Sequence, residues 1–271
     1  MTGAKDSYFR ASDGCKIAYT LHNAASGGTH RMVLVHSLAL DRSVWDGVVE
    51  RLGDDVAILT YDCRGHGRSE PRAGDYTPAL FARDLSELLE HVGWFNATIV
   101  GCSMGGCAAL AFAGLYGPRA NALGLIDTTA WYGAEAPKQF RERAATARKK
   151  GMSGLIEFQL TRWFSDGFRA GHSDVLERLT GIFTATDLEC YAASCALLGD
   201  ADLRPYLASF RKPVAIVVGE EDVATPPAMS QQLHEALRGS TLTVIPGGRH
   251  LTPIEYPDRI AAELRDLIAR H

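Results

Sequence analysis

No stretch of the 271-residue chain reaches the ~18 uninterrupted apolar residues of a membrane-spanning helix, so no membrane partner is expected. Basic charge is not in excess either: 28 Lys and Arg face 32 Asp and Glu, for a net charge of -4. Such a surface has no electrostatic reason to seek a phosphate backbone, which argues against nucleic acid as a partner. The six cysteines include no C-x-x-C pair and no histidine at metal-ligand spacing. Neither a metal site nor a disulfide framework is therefore expected, and the thiols read as small buried apolar groups. Internal repeats and low-complexity tracts are missing, which removes solenoids and linkers from consideration. The stretch "MTGAKDSYFRASDG" lacks the basic region and apolar run of a secretion signal, so a cytoplasmic location is expected.

What is present is a globular composition, 46% hydrophobic and 22% charged, in a chain long enough for one large core with an insertion. Short apolar runs rich in β-branched residues recur: "RMVLVHS", "DVAILTYD", "ATIVGCS", "ALGLID", "PVAIVVGEED" and "TLTVIPGG". Continuous apolarity over about five residues is the pattern of strands covered on both faces, as in a parallel sheet. Helix-length patterns lie between them, such as "PALFARDLSELLEHVG", with Leu85, Leu88, Leu89 and Val92 along one stripe. The alternation predicts an α/β fold with a mostly parallel, doubly wound sheet. From about Thr128 to Pro205 there is no strand candidate, only helical patterns rich in aromatics. The expected organisation is a core of residues 1–127 and 206–271 and a helical cap of residues 128–205 over the carboxyl edge of the sheet. Within the cap, "TDLE" from Thr186 to Glu189 has capping-box spacing and predicts a helix through "CYAASCALL".

The stretch "TIVGCSMGGCAAL", Thr98 to Leu110, sets one serine among three glycines after a strand pattern and before a small-residue helix. Gly101-Cys102-Ser103-Met104-Gly105 is G-x-S-x-G, in which a sharp strand-to-helix turn exposes a serine oxygen at a helix N-terminus. Glycines fit because side chains at those positions would meet neighbouring backbone. A serine hydroxyl needs a base, and the base an orienting acid, in chain order serine, acid, histidine. Asp222 after "PVAIVVG" and His250 after "TLTVIP" fill those places. Glu220 and Glu221 compete for the acid role, and Asp127 after the preceding strand is a further alternative. The oxyanion donors are expected from placement: the main-chain amides of Leu38, after the strand ending near His36, and of Met104. His66 lies in a glycine-rich turn, "DCRGHGRS", and reads as a satisfied structural residue.

Taken together, "VHSLALDRSVWD", "YDCRGHGRSEPRAGDYT", "GCSMGG", "GEEDVATPP" and "PGGRHLTPIEYPD" resemble the α/β-hydrolase superfamily over nearly the whole chain. The cap stretches "LTRWFSDGF" and "TATDLECYAASCALLGDADLRPYL" are similar to those of 3-oxoadipate enol-lactone hydrolases. The resemblance implies hydrolysis of a small lactone or ester through a Ser103 acyl-enzyme, with His250 as base and Asp222 as its orienting acid. No cofactor and no metal belong to that chemistry. Trp131, Trp163 and Phe164 are expected to wall the substrate pocket, and Arg162 is either a partner for a substrate carboxylate or a solvated helix arginine. A general carboxylesterase, a hydrolase of another ring-cleavage product and a small-molecule receptor on a hydrolase scaffold remain as alternatives. Monomer and homodimer are both open.

Overall fold

The apolar runs pair into one eight-stranded sheet in the computed structural model, which describes residues 6–23 and 30–271. In chain order the strands are β1 (Ser7–Arg10), β2 (Lys16–His22), β3 (His30–Val35), β4 (Val56–Tyr61), β5 (Ala97–Cys102), β6 (Ala120–Ile126), β7 (Val214–Gly219) and β8 (Ser240–Ile245). Their spatial order is β1-β2-β4-β3-β5-β6-β7-β8, with β1–β2 and β2–β4 antiparallel and the remaining neighbours parallel. The six predicted runs are β3 to β8. The hairpin of β1 and β2 is additional: "SYFR" and "KIAYTLH" mix exposed and buried positions because they form the antiparallel edge, and so lack the continuous apolar signature.

From β3 the chain steps to β4 on one side and then returns to place β5 on the other. That reversal opens a crevice beyond the carboxyl ends of β3 and β5, where ligands of open α/β sheets bind. Around the sheet, α1 (Asp46–Leu52), α2 (Pro78–His91) and α3 (Met104–Leu115) precede β6. Thr77 caps α2, its side chain accepting from the Leu80 amide, and Phe81, Leu85, Leu88 and Leu89 form the buried face.

Between β6 and β7 come α4 (Ala136–Lys150), α5 (Ile156–Trp163), α6 (Asp166–Gly171), α7 (Ser173–Ala185), α8 (Leu188–Asp200) and the turn α9 (Arg204–Leu207). The chain entering and the chain leaving this region are tied together. Trp131 and Asp202 form an isolated antiparallel bridge, and the Leu203 amide donates to the Ala130 carbonyl at 2.8 Å. Trp163, Phe183 and Tyr191 interlock edge to face inside it, and α4 packs along α8. The helix predicted through "CYAASCALL" is α8, but its cap is Asp187 rather than Thr186. The Asp187 carboxylate takes the amides of Glu189 and Cys190, while the Thr186 hydroxyl is engaged by the carbonyls of Ile182 and Ala39. After β7, α10 (Pro227–Ala236), α11 (Thr252–Glu255) and α12 (Pro257–Ile268) complete the chain, α12 packing on α1. Among the described residues, no helix is long and apolar enough to cross a membrane.

Candidate active site

Ser103 stands between β5 and α3 with φ 54° and ψ -115°, a left-handed backbone that a non-glycine residue adopts only where its surroundings enforce it. The surroundings are tight. A Cβ on Gly101 would lie 2.1 Å from the Gly105 carbonyl oxygen, and one on Gly105 would lie 2.2 Å from that of Val35. Glycine is therefore required at both positions for the helix to start directly against β3 and β5. Met104 is the first residue of α3, where amides have no intrahelical acceptor.

The loops after β7 and β8 bring two further side chains to the serine. His250 Nε2 lies 2.9 Å from Ser103 Oγ, and His250 Nδ1 lies 2.8 Å from Asp222 Oδ2. Asp222 Oδ1 accepts the amides of Ala224 and Thr225 at 2.7 and 3.0 Å, and Oδ2 also accepts the Thr225 hydroxyl at 2.8 Å. Burial pushes the Asp222 carboxyl up, but the imidazole of His250 and the Thr225 bonds outweigh it and hold the group below the usual carboxylate range. An ionised Asp222 accepts from Nδ1–H, which leaves Nε2 free to accept the serine proton. The competing acids point elsewhere: Glu220 accepts the Gly247 amide, and Glu221 pairs with Arg249 at 3.4 Å. Asp127 is fully buried and bonds to Gly219 and Thr252.

Leu38 and Ser37, in the turn after β3, line the cavity together with Ser103 and His250. Beneath them the ring of His36 fixes the turn, donating from Nδ1 to the Ser37 carbonyl at 2.7 Å and accepting the Cys63 amide at Nε2, 2.8 Å away. Burial lowers the His36 pKa, in keeping with a neutral ring that accepts an amide. Its neighbour His66, 5.3 Å away between ring centroids, donates from Nδ1 to the Arg64 carbonyl.

Over the serine lies a cavity of about 40 Å³, and beside it, sharing part of its wall, an outer chamber of about 600 Å³. Tyr132, Phe140, Arg143, Gln159, Arg162 and Ala224 line both. Among the described residues, no acidic side chain lines either space. The Arg143 guanidinium is held by the Tyr191 hydroxyl, to which its Nε donates at 2.7 Å, and lies over that ring. Arg162 lies over the Phe158 ring, 5.1 Å from its centroid. Burial first, and the charge of Arg143 second, lower the Arg162 pKa. Two guanidiniums facing one space without a carboxylate between them favour an anion there.

Of the expected pocket residues, Arg162 and Trp163 line the inner cavity, whereas Trp131 and Phe164 do not. Trp131 packs under the Arg204 guanidinium at the base of the insertion, tied there by its bridge to Asp202. Phe164 is fully buried, stacked on Phe168 behind Trp163. Sequence reasoning missed Arg143, Tyr132 and Gln159. "FRERAATARKK" reads as a charged outer face, and only the packing of α4 on α8 turns one of its arginines inward. The end of α5 also touches the histidine loop directly, as the His250 and Leu251 amides donate to the Arg162 and Trp163 carbonyls.

Comparison with known proteins gives concordant results. The family described as "Alpha/beta hydrolase family" matches residues 32–263. A 3-oxoadipate enol-lactonase 2 of Acinetobacter baylyi is 32% identical over 239 residues, 88% of either chain. Among solved structures, the enol-lactonase from Burkholderia xenovorans superposes with a TM-score of 0.92 at 30% identity, covering 97% of this chain and 100% of its own. A thermophilic esterase from Thermogutta terrifontis, solved with malate bound, gives a TM-score of 0.89 at 28% identity, covering 98% of each chain.

Proposed function

The chain belongs to the alpha/beta hydrolase family, and from that premise we propose that it is a serine hydrolase opening a small enol-lactone or ester that carries a carboxylate. The observation that carries the reading is the continuous chain from Ser103 through His250 to Asp222, with contacts of 2.9 and 2.8 Å. His250 takes the serine proton as Oγ attacks the carbonyl, and Asp222 holds the ring and stabilises its charged form. The amides of Leu38 and Met104 receive the oxyanion; loss of one such donor costs ~3 kcal/mol in comparable sites. Collapse expels the alkoxide or enolate, which takes its proton from His250, and the same imidazole then activates the water that releases the acid. Side chains and amides supply every group this route uses, so it needs no metal or organic cofactor.

Arg143 and Arg162 support the acidic substrate, because they supply fixed positive charge within the space that opens onto Ser103. In this reading residues 128–205 form the lid, contributing both arginines and Trp163. The outer chamber of about 600 Å³ favours a second reading, a carboxylesterase of broader acyl range, since a compact lactone fills only part of it. The test is Ser103→Ala, assayed on acidic enol-lactones, neutral lactones and nitrophenyl esters. Loss of nearly all turnover with the fold retained is expected, together with rapid fluorophosphonate labelling of Ser103 in the unaltered protein. Wild-type turnover in Ser103→Ala would end the nucleophile assignment, and absence of labelling would favour a receptor.

A further inference from the structure

The proposed mechanism makes no use of one buried ionisable side chain beside the site, that of Asp127, fully buried at the carboxyl end of β6. Its two oxygens reach different loops. Oδ1 accepts the Gly219 amide at 3.2 Å, at the root of the loop that carries Asp222. Oδ2 accepts the Thr252 amide at 2.9 Å and the Thr252 hydroxyl at 2.7 Å, two residues beyond His250. Next to it, the Thr128 hydroxyl donates to the Ser103 carbonyl at 2.7 Å, and the Ser103 amide donates to the Ile126 carbonyl at 2.9 Å. The segment 126–128 therefore touches all three loops that supply Ser103, Asp222 and His250. Asp127 also sits at φ 47°, a left-handed conformation held by its surroundings, with its amide bonded to the Val217 carbonyl.

From this arrangement we infer that Asp127 is a positioning residue for the hydrolytic reaction, a clamp that sets the distance between the acid loop and the histidine loop and so keeps His250 within reach of Ser103. The inference rests on the serine-hydrolase reading above. Acid and histidine reside on separate loops with separate strands behind them, and a shift of either by a fraction of an ångström breaks a 2.8 or 2.9 Å contact. One carboxylate bonded to both removes that freedom before substrate arrives. Burial, together with the charge of Asp222, pushes the Asp127 carboxyl well above the usual range, against the bonds from Thr252 and Gly219.

The test uses Asp127→Asn, which tolerates the left-handed backbone as aspartate does but sets an amide NH₂ against one of the donors from Gly219 or Thr252, and Thr252→Val, which removes only the hydroxyl. Asp127→Asn is expected to lower kcat about tenfold or more with KM within about twofold, the mark of lost transition-state alignment. Fluorophosphonate labelling of Ser103 should slow by a similar factor, measured at a temperature where circular dichroism shows the variant folded. Thr252→Val should lower kcat less, and the double variant should fall no further than Asp127→Asn alone. An unchanged kcat and labelling rate in folded Asp127→Asn would overturn the inference, as would a raised KM at constant kcat or fully multiplicative effects in the double variant. Should Asp127→Asn not fold, a wild-type kcat in Thr252→Val overturns it by itself. If the unaltered protein labels rapidly and the variant labels equally, only this inference falls; if the unaltered protein does not label, the hydrolase reading falls with it.

Discussion

Replacing Arg143 or Arg162 with methionine keeps most of the apolar stem and deletes the charge, which isolates what the guanidiniums do. A hydrogen bond to a charged group contributes roughly 1.5–3 kcal/mol net, and about 1.4 kcal/mol is tenfold in a rate or binding constant. Each arginine should therefore account for roughly 10- to 150-fold in kcat/KM on a substrate bearing a carboxylate. The structure ranks the two. Arg143 is fixed in advance by the Tyr191 hydroxyl at 2.7 Å and by the ring beneath it, so little is lost in ordering it and Arg143→Met should lie toward the upper end. Arg162 rests on Phe158, a residue 59% exposed, so Arg162→Met should lie nearer tenfold. On a neutral nitrophenyl ester both variants should stay within about threefold of the unaltered enzyme, because neither residue takes part in proton transfer. The assay is kcat/KM for an enol-lactone with a free carboxylate against that for the neutral ester, at one ionic strength. Equal losses on both substrates would mean that the arginines only support the packing of the helices between β6 and β7, and no loss on the acidic lactone would remove the anion site altogether.

Two further predictions concern stability. His66 is buried, and burial first, with the neighbouring imidazole of His36 adding to it, lowers its pKa from 6.5 to about 3. The unfolded chain thus binds a proton that the folded one refuses. Stability should be complete above about pH 6.5 and fall by up to about 1.4 kcal/mol per pH unit as the pH drops toward 3. His66→Phe should flatten the dependence of the urea midpoint between pH 6 and 4, and an identical slope in the variant would refute the assignment. Arg64 and Asp84, each almost wholly buried, form a bidentate pair at 2.5 and 2.6 Å, with Asp13 on the outer guanidinium nitrogen. Asp84→Asn should cost about 3 kcal/mol in chemical unfolding, the low end for a broken buried pair because Asp13 remains. A loss below about 1 kcal/mol would show the pair to be as weak as a surface bridge.

The amino-acid sequence by itself determined the parallel part of the sheet, because β3 to β7 are buried almost throughout and announce themselves as continuous apolar runs. Ser103 and His250 likewise left local marks as candidates, in a strand-to-helix turn with glycines at 101 and 105 and in a loop just past a later strand, while the place of the acid held several carboxylates. The β1–β2 hairpin was not, because an edge strand alternates and mixes with turn signals. Only the tertiary structure decided which carboxylate meets the histidine: Asp222, Glu220, Glu221 and Asp127 are equivalent as letters and differ by where their loops aim them. The same holds for the pocket. Whether an arginine on an amphipathic helix faces water or a cavity depends on the rotation of that helix against its neighbour, and a charged side chain pointing inward carries no periodic signal of its own. So Arg143 went unread, and Trp131, conspicuous in sequence, belongs to the seam where the chain enters and leaves the helices between β6 and β7.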